Sequence, residues 1–182
     1  VHYFSAVFDF LARQKALSKT IVVITSDNSH TFSEHNYISH LECNYIETIS
    51  VPMILYIPRG LQSRFNINNL RSNLGINHSL IDMIPTFLTI FGIESRPELS
   101  EYTVNYHGKS LFSSPDSLRD IIICNSHEIS ESNVGLSLVR GNYHYLLRTN
   151  TSPVQEELYE FHSDPWEKAN LWPSLSDSAK EA

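Results

Sequence analysis

"IVVITSDNSH" at positions 21–30 joins an apolar run to an acid–amide pair, and the fold prediction starts from this stretch. The continuous apolar run IVVIT at 21–25 predicts a strand that is covered on both faces, as in a parallel sheet. Asp27 and Asn28 follow this strand almost directly. Ligands of open α/β sheets bind beyond the carboxyl ends of the strands, so the pair stands where a site is expected.

Two interpretations of the Asp27–Asn28 pair remain open at this point. Carboxylate and amide oxygens are hard ligands that suit calcium or magnesium. The pair carries one negative charge, so a divalent ion would need further acids from elsewhere. Alternatively, Asp and Asn are common turn formers whose side chains hydrogen-bond to the neighbouring backbone.

The loop after the pair is rich in histidine. It contains His30, Glu34, His35 and His40. Histidines in such a loop act as metal ligands, proton donors or phosphate contacts, or simply form an exposed polar loop. Their spacing matches no zinc template, because the chain has neither His-Glu-x-x-His nor a closely spaced cysteine pair.

The composition is that of a globular protein. The 182 residues are 41% hydrophobic and 18% charged, which fits one domain or slightly more. A net charge of −7 without a basic cluster argues against nucleic acid or an anionic membrane as a partner. No apolar run approaches the roughly 20 residues of a membrane span. Cys43 and Cys124 are too far apart for a disulfide framework or a zinc site, which favours free thiols.

Strands and helices alternate in the first part of the chain, and hairpin signals follow. The pattern predicts helices at 1–17 and 79–91, and strands at 21–25, 51–57, 120–124 and 157–161, with a Gly-Asn hairpin within 135–148. Pro85 fits the first turn of a helix, and Gly92 fits its end. This order predicts an α/β layer followed by a small antiparallel part.

Five segments in this order resemble the sulfatase family of the alkaline phosphatase superfamily. They are TIVVITSDNSHTFSEHNYISH, VPMILYIPRGL, LIDMIPTFLTIFGIE, YHGKSLF and ELYEFHSDPWEKANLW, and the resemblance runs from about residue 3 to residue 172. It implies an α/β fold with a mixed, mostly parallel sheet flanked by helices, followed by a small C-terminal antiparallel sheet. It also implies two domains: residues 1–112, the C-terminal part of the α/β domain, and residues 113–182, a small α+β subdomain.

The resemblance assigns roles to several residues. Asp27 matches a metal-ligand Asp of the family, and Asn28 matches the second ligand of that pair. Asn at the second position is typical of calcium-dependent sulfatases, whereas phosphoryl-transfer relatives carry His and bind zinc or manganese; magnesium is a further alternative. His40 stands where the family places a cation facing the anion, so it is expected to bind substrate and assist catalysis. Glu34 and His35 match the family's Glu-His, which implies loop structure near the site and, for His35, substrate binding.

The resemblance also implies parts that this chain does not contain. The family's formylglycine nucleophile arises from Cys or Ser in a C/S-x-P-x-R motif, and neither Cys43 nor Cys124 lies in such a motif. The chain begins at Val1 without Met, so we expect a piece of a longer extracytoplasmic protein (secreted, lysosomal or periplasmic). Its partners would be the N-terminal half of the same protein and a small-molecule or glycan sulfate ester.

Three departures from the family pattern keep other functions open. Ser29 and Asn36 replace glycines, and His144 stands where the family usually has Lys. Glycine tolerates positive φ at no cost, and Asn is the next best residue there. The alternatives are a phosphoethanolamine or glycerophosphate transferase or a phosphodiesterase of the same superfamily, and an inactive truncated or degenerate fragment.

Overall fold

A computed structural model describes residues 2–36, 44–126, 134–149 and 151–180 of the chain. The α-helices are α1 (His2–Arg13), α2 (Ile46–Ile49), α3 (Ile67–Asn73), α4 (Met83–Phe91), α5 (Ser100–Thr103) and α6 (Asp177–Lys180). The strands are β1 (Val22–Thr25), β2 (Met53–Tyr56), β3 (Ile121–Ser126), β4 (Val134–Arg140), β5 (Tyr143–Arg148) and β6 (Gln155–Glu160). In this part of the chain, every helix is too short or too polar to cross a membrane.

The chain forms two compact units, and each contains two separate stretches of sequence. The first unit contains residues 1–25 and 52–116, and the second contains residues 26–51 and 117–182. The loop that carries Asp27 and Asn28 therefore folds with the C-terminal residues. The domain boundary expected after residue 112 stays a prediction.

The first unit contains a two-stranded sheet. Strands β1 and β2 pair antiparallel, with Val22 opposite Tyr56 and Thr25 opposite Met53. Helix α1 packs here through Phe8, whose ring meets that of Tyr56 edge to face at 5.4 Å. Both strands form where the apolar runs predict them, but the mostly parallel sheet is not confirmed. An apolar run reports burial on both faces of a strand and does not fix the direction of its neighbour.

Helix α4 begins and ends as its sequence predicts. A short 3-10 helix at Leu80–Asp82 leads into it, and Pro85 occupies its first turn, where no intrahelical N–H bond is needed. Gly92 ends it with φ of 67°, and the next amide, that of Ile93, bonds back to the carbonyl of Leu88 at 3.0 Å. Glycine adopts this left-handed conformation without steric cost.

Asp82 anchors the start of α4 and a later loop of the same unit. Its side chain is 1% exposed, and it accepts hydrogen bonds from the amides of Ser79 at 3.0 Å and Lys109 at 2.7 Å. The backbone at Gly108 approaches so closely that an added Cβ would lie 2.1 Å from the carbonyl oxygen of Ile81. Asp82 therefore has a structural role in the first unit.

The second unit is built on a four-stranded antiparallel sheet of order β3-β4-β5-β6. The predicted hairpin joins β4 to β5 through Gly141, which has φ of 55°, and Val139 pairs with His144. On the buried face, His144 is opposite Tyr159 of β6. Tyr45, Leu146 and Tyr159 form the core, with 6%, 2% and 4% exposure. The small C-terminal antiparallel sheet is therefore confirmed.

Candidate functional site

The Asp27–Asn28 pair lies in a tight polar turn shortly after β1. The Oδ1 atom of Asp27 accepts a hydrogen bond from the Asn28 amide at 3.0 Å, and the hydroxyl of Ser26 donates to the Asn28 carbonyl at 2.7 Å. Asp27 is exposed and Asn28 is half-buried. Both side chains engage the neighbouring backbone, as the turn interpretation predicts.

The same turn leaves oxygen atoms that suit a hard cation. Asn28 donates its Nδ2 to the carbonyl of Ser29 at 2.8 Å, which orients the amide oxygen away from that contact. One oxygen of the exposed Asp27 carboxylate and the Asn28 amide oxygen make a donor set fitting calcium or magnesium. Among the described residues, no group of three or more His, Cys, Asp and Glu side chains gathers to hold an ion. The pair thus fits as two ligands of a site that needs others.

The backbone conformation at Ser29 and Asn36 shows whether these two positions require glycine. Ser29 does not have positive φ, so the Ser at this position carries no left-handed strain. Its amide donates to the carbonyl of Thr48 at 3.1 Å. Asn36 does adopt the left-handed region, with φ of 62°, and so does His35, with φ of 48°. Asn36 therefore occupies the position where Asn is the best substitute for glycine.

His35 is bound into the second unit through both ring nitrogens. Its Nδ1 lies 2.7 Å from the Glu47 carboxylate, and its Nε2 lies 2.9 Å from the carbonyl oxygen of Glu167. The ring stacks on Tyr45 with centroids 3.7 Å apart. Burial lowers the pKa of His35, but the bonds to Glu47 and to the Glu167 carbonyl outweigh it and raise the pKa overall. The structure thus gives His35 the loop-holding role, and its substrate contact stays a prediction.

The other loop residues contribute locally. The carboxylate of Glu34 accepts hydrogen bonds from the amide of Phe32 and from its own amide. These two bonds lower the pKa of Glu34. His30 is exposed and its ring meets that of Phe32 at 5.4 Å. His40, to which the resemblance assigns the catalytic and substrate contacts, lies outside the described residues.

Sequence reasoning did not single out Glu167, which is the centre of the second unit's polar network. The residue as a whole is 1% exposed, and its carboxylate binds Nδ1 of the fully buried His144 at 2.5 Å and the Ile46 amide at 2.8 Å. Its φ is 50°, an uncommon value for a residue with a side chain. The only sequence signal was its position inside the motif DPWEKANLW, whose other charged residues are the half-buried Asp164 and the exposed Lys168.

A second polar cluster lies beside this network. The carboxylate of Glu157 accepts the hydroxyls of Tyr45 at 2.8 Å and Tyr159 at 2.5 Å. Burial and these bonds raise the pKa of both phenols. The guanidinium of Arg148 lies 4.6 Å from the centre of the Tyr45 ring. Each phenol donates its proton to the Glu157 carboxylate, so this cluster joins Tyr45 to β6 in the core of the unit.

The first unit contains a cavity of about 360 Å³ between α4 and the loop at residues 103–113. Its charged lining residues are Glu94 and Lys109, and Lys109 is paired with Asp116 at 2.5 Å. Among the described residues, Asp27, Asn28 and His35 do not line this cavity. The candidate site is therefore the Asp27–Asn28 turn with its supporting network.

Comparisons with known proteins agree with the sequence motifs. The sulfatase family model matches residues 2–93. Bovine arylsulfatase K is 25% identical over 169 residues, which cover 89% of this chain and 30% of that protein. The chain thus spans less than a third of the length of the curated relatives that it matches.

Solved structures share the fold. One was determined in complex with its substrate, D-glucosamine-2-N,6-O-disulfate; it has a TM-score of 0.62 and 20% identity, and the match covers 97% of this chain and 35% of that one. The phosphonate monoester hydrolase of Agrobacterium radiobacter has the same TM-score with 13% identity, over 97% and 35% of the two chains. Since the family model matches half of the chain and the α/β fold agrees, this chain belongs to the sulfatase family.

Proposed function

We propose that the chain is part of a longer hydrolase that cleaves sulfate esters with the help of a divalent metal ion. The observation that carries the proposal is the turn at Asp27 and Asn28, which leaves two hard oxygen donors beside an exposed surface in a chain of this family. In the longer protein, the two strands of the first unit would belong to a mixed, mostly parallel sheet. By family analogy, we place that protein outside the cytoplasm.

The chain's own residues would hold and orient the reacting groups. The Asp27 carboxylate and the Asn28 amide oxygen would bind calcium, and when bound, such an ion polarises the ester oxygens as a Lewis acid. The Ser26 hydroxyl, which donates to the Asn28 carbonyl, and the Ser29 amide, which donates to the Thr48 carbonyl, hold the backbone of the pair in place. His40 would face the anion and donate a proton to the leaving oxygen. The nucleophile, a formylglycine, would come from the N-terminal part of the longer protein.

Substitution of Asp27 in the longer protein tests this proposal. We expect Asp27→Ala to abolish both bound calcium, measured by elemental analysis, and hydrolysis of 4-nitrophenyl sulfate. The matched control is Asp9→Ala, which removes an exposed carboxylate from α1 and should leave both unchanged. Retained turnover in Asp27→Ala would contradict the assignment.

A phosphoryl-group enzyme is the second candidate, favoured by His40 and by the fold shared with a phosphonate monoester hydrolase. Its metal would be zinc or manganese, and its nucleophile Thr or Ser. Asn28 argues against it, because these metals bind imidazole more readily than an amide oxygen. Zinc in the purified longer protein, with turnover of 4-nitrophenyl phosphate in place of the sulfate, would select this candidate.

A further inference from the structure

Glu167 joins three separate parts of the second unit, although it lies far from the Asp27–Asn28 pair in sequence. Its carboxylate accepts hydrogen bonds from Nδ1 of His144 at 2.5 Å and from the amide of Ile46 at 2.8 Å. Its backbone carbonyl accepts Nε2 of His35 at 2.9 Å. A carboxylate that is 1% exposed is stable only with such partners, so the contacts fix one geometry.

The contact with Ile46 leads to the candidate site through α2. Ile46 is the first residue of this short helix, and Thr48, two residues later, is 5% exposed. The Thr48 carbonyl accepts the amide of Ser29 at 3.1 Å. Ser29 directly follows Asn28, so two hydrogen bonds and two short stretches of covalent chain join the Glu167 carboxylate to the predicted metal ligands.

His35 is a second point at which Glu167 is attached to the chain near α2. Its Nδ1 bonds to Glu47 of α2 at 2.7 Å, and its ring stacks on Tyr45, which immediately precedes the helix. Because His35 also bonds to the Glu167 carbonyl, Glu167 holds the chain at His35 and at Ile46. The positions of His35 and of the start of α2 therefore depend on one acidic residue from the C-terminal part of the chain.

We propose that Glu167 is a positioning residue for the Asp27–Asn28 pair, acting through α2 and the Thr48–Ser29 hydrogen bond. Its catalytic consequence rests on the proposed function, whereas its effect on the Ser29 backbone does not. A Gln at this position has one oxygen for the Ile46 amide and a nitrogen that can donate to the other tautomer of His144. An Ala removes the bonds to the Ile46 amide and to Nδ1 of His144. Comparison of Gln with Ala therefore shows whether the hydrogen bonds of Glu167, and not just its buried position, hold the pair in place.

Residue-resolved amide hydrogen exchange of the 182-residue chain provides the test. In Glu167→Ala, we expect the exchange of the Ser29 amide to increase by at least about tenfold more than that of the amides of β4 and β5, because its acceptor is no longer held whereas those amides respond only to the lower stability of the whole unit. Glu167→Gln should restore Ser29 to within about threefold of the wild type. The control is Glu160→Ala, since in the described part of the chain the Glu160 carboxylate bonds to Ser163 and to the His162 backbone in its own turn.

A second variant keeps the test valid if Glu167→Ala does not fold. Ile46→Pro removes the amide that donates to Glu167 and keeps the backbone conformation, because proline fits the first position of a helix and Tyr45 already has the extended backbone that precedes proline. It should also speed the exchange of the Ser29 amide. An unchanged Ser29 amide in either folded variant, or an equal increase throughout β4 and β5, would overturn the positioning role.

Kinetics of the longer protein separate this inference from the proposed function. We expect Ile46→Pro to lower kcat for 4-nitrophenyl sulfate by about ten- to a hundredfold with a smaller change in KM, as misplacement of a reacting group does. If the wild-type protein has no sulfatase activity, the proposed function fails, and the exchange of the Ser29 amide still decides the role of Glu167.

Discussion

Glu167 and His144 form a pair that is closed to solvent, with 2.5 Å between Oε1 and Nδ1 and side-chain exposures of 0% for both residues. His144 comes from β5, and Glu167 lies 23 residues further along the chain. Among the described residues, the buried Nε2 atom of His144 has no hydrogen-bond partner, so Nδ1 makes the polar contact that is seen for this ring. Each residue therefore depends on the other for its place in the core of the second unit.

Removal of the histidine should destabilise the protein strongly. We expect His144→Leu to lower the free energy of unfolding by about 2–4 kcal/mol, because it leaves the buried Glu167 carboxylate with fewer bonds. Urea unfolding monitored by circular dichroism measures this change. His162→Leu is the control, since His162 is exposed in the same unit and its loss should cost less than about 0.5 kcal/mol. Equal midpoints for the two variants would contradict the assigned role.

The stability of the second unit should decrease with increasing pH. The pKa of His35 is raised in the folded state, so its contribution is complete below pH 6.5 and is lost as the pH rises through the folded-state pKa. The groups that contact the ring are Glu47, the Glu167 carbonyl and Tyr45. We expect the urea midpoint of the wild type to fall as the pH rises above 6.5, because His35 then loses its proton.

Two histidine variants assign this pH dependence. His35→Gln should have a lower midpoint than the wild type at acidic pH and a smaller decrease as the pH rises. His162→Gln, which changes an exposed ring of the same unit, should follow the wild type. An identical pH dependence in His35→Gln and the wild type would exclude His35 as the responsible group.

Substitution of Gly108 should disrupt the contact with the start of α4. A Cβ there would lie 2.1 Å from the carbonyl oxygen of Ile81, and this backbone atom cannot move aside like a flexible side chain. We expect Gly108→Ala to lower the free energy of unfolding by more than about 2 kcal/mol. Gly75→Ala is the matched control, because no atom lies within 4 Å of its added Cβ. Denaturant unfolding of both variants compares the two sites.

The two positions where the family carries glycine should respond differently. Ser29 does not have positive φ, so Ser29→Gly should lower stability by about 0.5–1 kcal/mol by adding freedom to the unfolded chain. Asn36 has φ of 62°, so Asn36→Gly should be neutral or stabilising, whereas Asn36→Ala should cost about 1 kcal/mol. Thermal unfolding of the three variants measures these effects, and a stabilising Ser29→Gly would show that the turn is strained.

The sequence by itself determined the local elements and the chemistry of the pair. Gly92 ends α4, Gly141 forms the turn of the hairpin, and Asp27 and Asn28 follow β1. These features depend on residues close in sequence, namely the periodicity of apolar side chains, the left-handed preference of glycine and the short reach of Asp and Asn.

Only the tertiary structure decided the direction of β2 beside β1 and the partners of Glu167. An apolar run looks the same in a parallel and an antiparallel neighbour, so the pairing of Val22 with Tyr56 could not be predicted from it. Glu167 bonds to Ile46 and His35, which lie 121 and 132 residues away. A buried acid is stable only where distant partners meet it, and local sequence patterns do not encode those partners.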